Sequence, residues 1–180
     1  MAEATGIERL EGAGVSVRLD EAMQAAALRY FEAGAAFSQA VRAVTGVALP
    51  PLLGVLEADT GALTLAWRSP TETLLLTPSA PRLAQLEEQL ALARDGCLVN
   101  LTGGLKVLRV TGDRIADLLC RLGGTASVPA PGEARRSRLA DVPVLALAVR
   151  AGETLLVVDR GYAAHLMAWI RETLLDFPDS

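Results

Sequence analysis

The apolar positions of this chain change period along its length, and each change marks an element. Met23, Ala27, Tyr30, Gly34, Phe37, Val41 and Val44 recur at alternating intervals of four and three, the spacing that lines one face of an α-helix. This predicts a helix from about Asp20 to Thr45, stopped at Gly46, with Pro50-Pro51 forcing an extended exit. Ahead of it, residues 1–19 read as a polar, glycine-containing leader that is a candidate for disorder. Residues 20–180 read as a single α+β domain.

Leu63, Leu65 and Trp67 then alternate with Thr64, Ala66 and Arg68, the period of a half-buried strand. A turn at Ser69-Pro70 leads into the apolar run Thr73 to Leu76. Ser79 is placed to cap a following helix, with Pro81 in its first turn and Leu83, Leu86 and Leu90 as its buried stripe. Gly96 closes that helix.

The stretch VNLTGGLKVLRVTGDRIADLLC reads as a strand over Cys97 to Leu101, a turn at Gly103-Gly104 and a strand over Leu105 to Val110, together a hairpin. Thr111 or Asp113 caps the next helix, whose Ile115, Leu118, Leu119 and Leu122 share one face, and Gly123-Gly124 stops it. TASVPAPGE is a loop by composition. Strands follow at about Arg138 to Asp141, Val144 to Val149 and Thr154 to Val158, with turns at Val142-Pro143 and Ala151-Gly152. A last helix, about Tyr162 to Leu175, turns Tyr162, Leu166, Trp169 and Leu174 to the core. The rhythm of strand-strand-helix units predicts an α+β fold of antiparallel sheet with helices packed on one face, in ferredoxin-like halves, rather than a doubly wound parallel sheet. No clear internal sequence repeat accompanies it.

Composition narrows the functional classes. Apolar residues make up 51% of the chain and charged residues 21%, enough apolar surface to offset the entropy of folding. Seventeen Lys and Arg against 21 Asp and Glu give a net charge of -4, so no global positive field draws a phosphate backbone and nucleic acid is not an expected partner. The two cysteines, Cys97 and Cys120, are too few for a disulfide framework and suit a reduced compartment. No signal-peptide core or membrane-length apolar run is found, so the expected localisation is cytoplasmic and the Asn100-Leu101-Thr102 sequon is silent.

Candidate chemistry is sparse. Gly103-Gly104 precedes a strand and lacks a phosphate-loop pattern. His165, the only histidine, has no cluster of metal ligands near it in sequence and reads as structural or surface-borne. The one local charge anomaly is Arg135-Arg136-Ser137-Arg138, where the glycine-proline loop enters a strand. Arginine forks suit carboxylates and phosphates, so this cluster is a candidate for docking an anionic tail or an acidic surface, or else a solvated strand end. With a mean hydropathy of +0.33, the chain also has apolar area to offer a partner.

Four segments carry a family resemblance: GVALP, LAWRSPTETLLL, VNLTGGLKVLRVTG and GEARRSRLADVPVL. In this order, and over about Ala36 to Phe177, they resemble the gamma subunits of heterotetrameric sarcosine oxidases. Asn100 and Thr102 stand where that family usually carries an Asp-x-Ser, which makes them further ligand or interface candidates. The resemblance implies a noncatalytic accessory subunit, related to the folate-binding region of the glycine cleavage T protein, with no catalytic, cofactor or metal residues of its own. Its implied partners are the larger subunits of a flavin-dependent amine oxidase. FAD, FMN, NAD and tetrahydrofolate are implied for those subunits, which oxidatively demethylate sarcosine or a related amine and pass on the one-carbon unit. The alternative is a stand-alone folate-binding one-carbon protein similar to aminomethyltransferase, although the chain lacks that protein's further C-terminal domains.

Overall fold

The computed structural model describes residues 9–32 and 36–177. Eleven strands and four α-helices appear among them, in the order β1 (Arg9–Gly12), β2 (Val15–Leu19), β3 (Gln24–Tyr30), α1 (Ala36–Thr45), β4 (Val55–Ala58), β5 (Leu63–Ser69), β6 (Glu72–Thr77) and α2 (Ala80–Leu90). The chain continues through β7 (Gly96–Asn100), β8 (Leu105–Gly112), α3 (Ile115–Gly123), β9 (Ala134–Leu139), β10 (Val142–Arg150), β11 (Glu153–Asp159) and α4 (Ala163–Leu175). The strands form two antiparallel sheets, β1-β2-β8-β11-β10-β9 and β4-β5-β6-β3-β7.

Alternation of side chains along the strands builds four layers. On β11, Leu156 and Val158 face α3 and α4, while Leu155 and Val157 face the other sheet. On β6, Leu75 faces α1 and α2, while Leu74 and Leu76 turn inward to meet β11 and β10. Each sheet therefore carries its helices on one face and packs its other face against its neighbour. Burial on both faces explains why β6, β10 and β11 read as unbroken apolar runs. Backbone bonds stitch the sheets where β4 meets β9: the Val55 N–H donates to Gly132 O at 2.8 Å and the Ala134 N–H to Leu53 O at 2.6 Å.

The two sheets also share one connectivity. β3-α1-β4-β5-β6-α2 gives the strand order 4-5-6-3, and β8-α3-β9-β10-β11-α4 gives 9-10-11-8. The fifth strand of each set is β7 beside β3 and β2 beside β8. The molecule is thus built of two equivalent halves with no visible sequence repeat, in which β3 matches β8 and α2 matches α4.

Several expected elements differ. Arg9 to Leu19, expected as part of a leader, forms the hairpin β1-β2 at one edge of the six-stranded sheet; residues 1–8 lie outside the described residues. The helix expected from Asp20 begins only at Ala36, and Gln24–Tyr30 is instead a central strand paired to β6 and β7. Alanine's helix propensity yields there to burial on both faces: Ala25 meets the other sheet, and Ala26, Leu28 and Tyr30 meet α1 and α2. Gly34 of that expected face lies outside the described residues. The later part stands, with Phe37 and Val41 buried, the Thr45 Oγ1 donating to Val41 O at 2.8 Å, and Gly46 at φ 77° ending the helix.

The expected hairpin at Gly103-Gly104 does not form. β7 pairs with β3 and β8 with β2 and β11, so the glycines lie on a passage from one sheet to the other. The helix α3 is preceded by Arg114 rather than capped by the side chain of Thr111 or Asp113, although its predicted apolar face is buried. Between β9 and β10 the turn lies at Ala140 and Asp141, both left-handed at φ 48° and 63°, as a two-residue hairpin of type I′ needs. Val142-Pro143 is consequently already strand. Ser79 caps α2 as expected, its Oγ accepting from the Arg82 N–H at 3.2 Å.

Candidate functional site

Asn100 and Thr102 sit where β7 ends. The Asn100 Oδ1 accepts from the Thr102 N–H at 3.0 Å, an Asx turn that bends the chain out of the sheet. The Thr102 Oγ1 accepts from the Ala25 N–H at 3.1 Å and donates to Ala25 O at 3.3 Å. Its hydroxyl therefore imitates one more residue of β7 against β3. Both candidates hold the passage between the sheets, through the Asn100 Oδ1 and the Thr102 hydroxyl.

The three arginines of the basic run do not converge. Alternation along β9 sends Arg135 toward the helix layer and Arg136 and Arg138 toward the opposite face. Arg135 donates to Glu133 at 2.7 Å and to Ala126 O at 3.1 Å. The Ala130 N–H and then the Arg135 guanidinium hold the Glu133 carboxyl below its usual range, against a smaller opposing effect of burial. Arg138 donates to Asp141 O at 2.5 Å across the β9-β10 turn. Arg136 alone makes no hydrogen bond or ion pair among the described residues. It lies at the mouth of a cleft of about 160 Å³ between the sheets, with Leu74, Leu105, Leu145 and Val157 as floor and Arg68 and Asp159 on the rim.

Sequence reasoning missed Arg68 and Asp159 because they reach this cleft from other strands. The Arg68 charge is partly spent, its Nη1 lying 2.6 Å from Glu72 Oε1. The cleft is smaller than the roughly 300–1,000 Å³ typical of sites that enclose a small molecule or cofactor. A dinucleotide would also need convergent donors at a helix N-terminus, whereas Gly103-Gly104 passes from strand to strand. The candidate residues do not fit a flavin or a nicotinamide dinucleotide. A wider, open hollow of about 740 Å³ lies at the ends of β3 and β7. Its Arg29 Nε and Glu72 Oε2 are paired at 2.9 Å, and Cys97 is exposed beside them.

His165 meets an aromatic ring and not a carboxylate, its centroid lying 6.5 Å from that of Trp169 in an edge arrangement. Tyr162 and Trp169, expected in the core, are 48% and 51% exposed. Ala163, Met167 and Ile170 take the inward places beside Leu166 and Leu174.

Fold and candidate residues together define a double-sheet α+β chain whose polar candidates are mostly engaged in holding its own turns and strand ends. The sequence matches the sarcosine oxidase gamma subunit family over residues 29–175, and the chain belongs to that family. A chain of the heterotetrameric sarcosine oxidase from Corynebacterium sp. U-96, solved in complex with pyrrole 2-carboxylate, has the same fold. It superposes with a TM-score of 0.80 at 22% identity, over 96% of this chain and 90% of that one. The glycine cleavage system aminomethyltransferase T from Bartonella henselae is similar at a TM-score of 0.63 and 14% identity, over 88% of this chain and 46% of that one. A search of curated protein sequences finds no match. Among the described residues, no helix is long and apolar enough to cross a membrane.

Proposed function

We propose that this chain is the gamma subunit of a heterotetrameric, cytoplasmic oxidase acting on sarcosine or a related secondary amine. Within that enzyme it is a noncatalytic companion of larger subunits, which hold FAD, FMN, NAD and tetrahydrofolate and carry out the oxidative demethylation and one-carbon transfer. The observation that carries this reading is the family match over 29–175. The engaged state of Asn100, Thr102, Arg135 and Arg138 agrees with it. Co-expression with the larger sarcosine oxidase subunits of the same organism tests the reading. A stable complex that oxidises sarcosine is expected, with no turnover by the purified chain alone. Sarcosine oxidation by the isolated chain, or no complex, would overturn it.

The second reading, a folate-binding one-carbon protein, is favoured by the likeness to aminomethyltransferase T and by Arg136 at the cleft mouth. Titration of the isolated chain with tetrahydrofolate distinguishes the two. Saturable binding that Arg136→Ala weakens would support the folate reading, and no binding would remove it.

A further inference from the structure

The geometry points to the outer face of α4 as the surface through which this chain docks on a larger subunit. The inference rests on the gamma-subunit reading and adds to it the face and the chemistry of the contact.

The internal duplication supplies the comparison. α2 and α4 hold equivalent places in the two halves, each packed on the outside of its sheet. Outward on α2 stand Gln85, Glu87, Glu88 and Gln89, the polar side of a solvated helix. On α4 the corresponding side mixes Arg171 and Glu172 with His165, Ala168, Trp169 and Leu175, and Tyr162 stands one turn ahead. Trp169 is 51% exposed and Leu175 75% exposed, while Leu166, Met167 and Ile170 fill the inner side. A surface helix normally keeps its large apolar side chains on its inner side, so Trp169 and Leu175 stand out on this one.

Trp and Tyr are also the residues that dominate binding energy once water is excluded around them. The remaining exposed large apolar residues, such as Phe31, Leu52 and Leu92, lie on separate connections between elements, which is ordinary for a protein surface. Membership of a gamma-subunit family names the occupant as a larger chain of the oxidase. Its matching face is apolar, with a hydrogen-bond acceptor for the Trp169 indole N–H. Glu172, one helical turn from Ala168 and Trp169, lies within this face and calls for a basic group opposite it, while Arg171 lies at its edge.

The test uses the co-expressed complex. Trp169→Glu is expected to weaken association about tenfold or more, while circular dichroism and thermal melting of the isolated variant stay near wild type. A Trp67→Phe chain leaves Trp169 as its only indole. Labelled with 5-hydroxytryptophan, mixed with unlabelled larger subunits and excited beyond the absorbance of their own tryptophans, that chain is expected to lose acrylamide quenching of Trp169 several-fold on complex formation. A folded Trp169→Glu chain that assembles like wild type overturns the inference but not the gamma-subunit reading. Should the variant fail to fold, unchanged quenching of Trp169 in the complex overturns it equally, and protection supports it. Protection of Trp169 by self-association, or by lipid vesicles without the larger subunits, assigns the face to another occupant and overturns it too. If the wild-type chain forms no complex, the gamma-subunit reading itself falls, and this inference with it.

Discussion

Thr102 separates a structural role from a recognition role. Its hydroxyl satisfies the N–H of Ala25, which is 1% exposed, at the point where β7 has ended. Thr102→Val keeps the shape and leaves that donor without a partner, so a loss of about 1–3 kcal/mol of stability is expected. Thr102→Ser keeps the hydroxyl and should stay close to wild type in the same urea melts. Glu133 behaves differently because its contribution depends on charge. Its carboxyl is held below its usual range by the Ala130 N–H and by Arg135, so the ionised form stabilises the fold. That stabilisation is full above the ordinary glutamate pKa of about 4.3 and is lost as pH falls through the lowered folded value. Glu133→Gln should therefore lose less stability than wild type between neutral and acid pH, as read by urea melts at a series of pH values. A variant with an unchanged acid slope would remove Glu133 from the account.

At the scale of elements, the seat of α1 on β3 and β7 makes an exacting demand. A Cβ at Gly96 would run into the Phe37 ring and lie 2.7 Å from the backbone oxygen of Arg29. Gly96→Ala is expected to cost about 1–3 kcal/mol through overpacking, seen as a lower urea midpoint with an unchanged denaturant slope. The surroundings of Gly96 also show where the sequence could be read and where it could not. Local signals located α2, α3 and the strands β5 to β8, β10 and β11, because caps and apolar stripes act within a few residues, whereas β9 runs over Ala134–Leu139, earlier than the expected Arg138 to Asp141. The β3 strand was not legible: Ala25, Ala26 and Ala27 are buried on both faces, which removes the alternation that marks a half-exposed strand. Nor could Gly103-Gly104 be read correctly, since a short connection looks the same whether the next strand pairs beside the last or crosses to another sheet. Tyr162 and Trp169 were misplaced for a related reason, as an outward aromatic face has the same period as an inward one. The candidate site suffered most, because Arg68, Arg136 and Asp159 meet only through the packing of two sheets.

At the scale of the molecule, the two halves are joined by the inter-sheet core and by a chain of charges at its edge. Arg109 on β8 donates to Asp20 at 3.0 and 3.1 Å and pairs with Glu153 on β11. Glu153 also takes Arg150 at 3.2 Å, and Arg150 reaches Glu57 on β4 of the other sheet at 2.7 Å. The Asp20 and Glu153 side chains are only 11% and 13% exposed, so water replaces a lost partner poorly. Arg109→Met keeps most of the stem but strands Asp20 and leaves Glu153 with Arg150 alone, and an expected loss of about 2 kcal/mol follows from hydrogen bonds to charged groups. Asp20→Asn in that background should cost less than it does alone, and the difference in a double-mutant cycle is the coupling between the pair. Strict additivity would mean that the ion pair contributes nothing beyond its separate packing. Because the apolar core between the sheets stays intact, both variants should still unfold in a single transition. A second transition appearing in Arg109→Met would instead show that this edge, rather than the shared apolar core, couples the two halves.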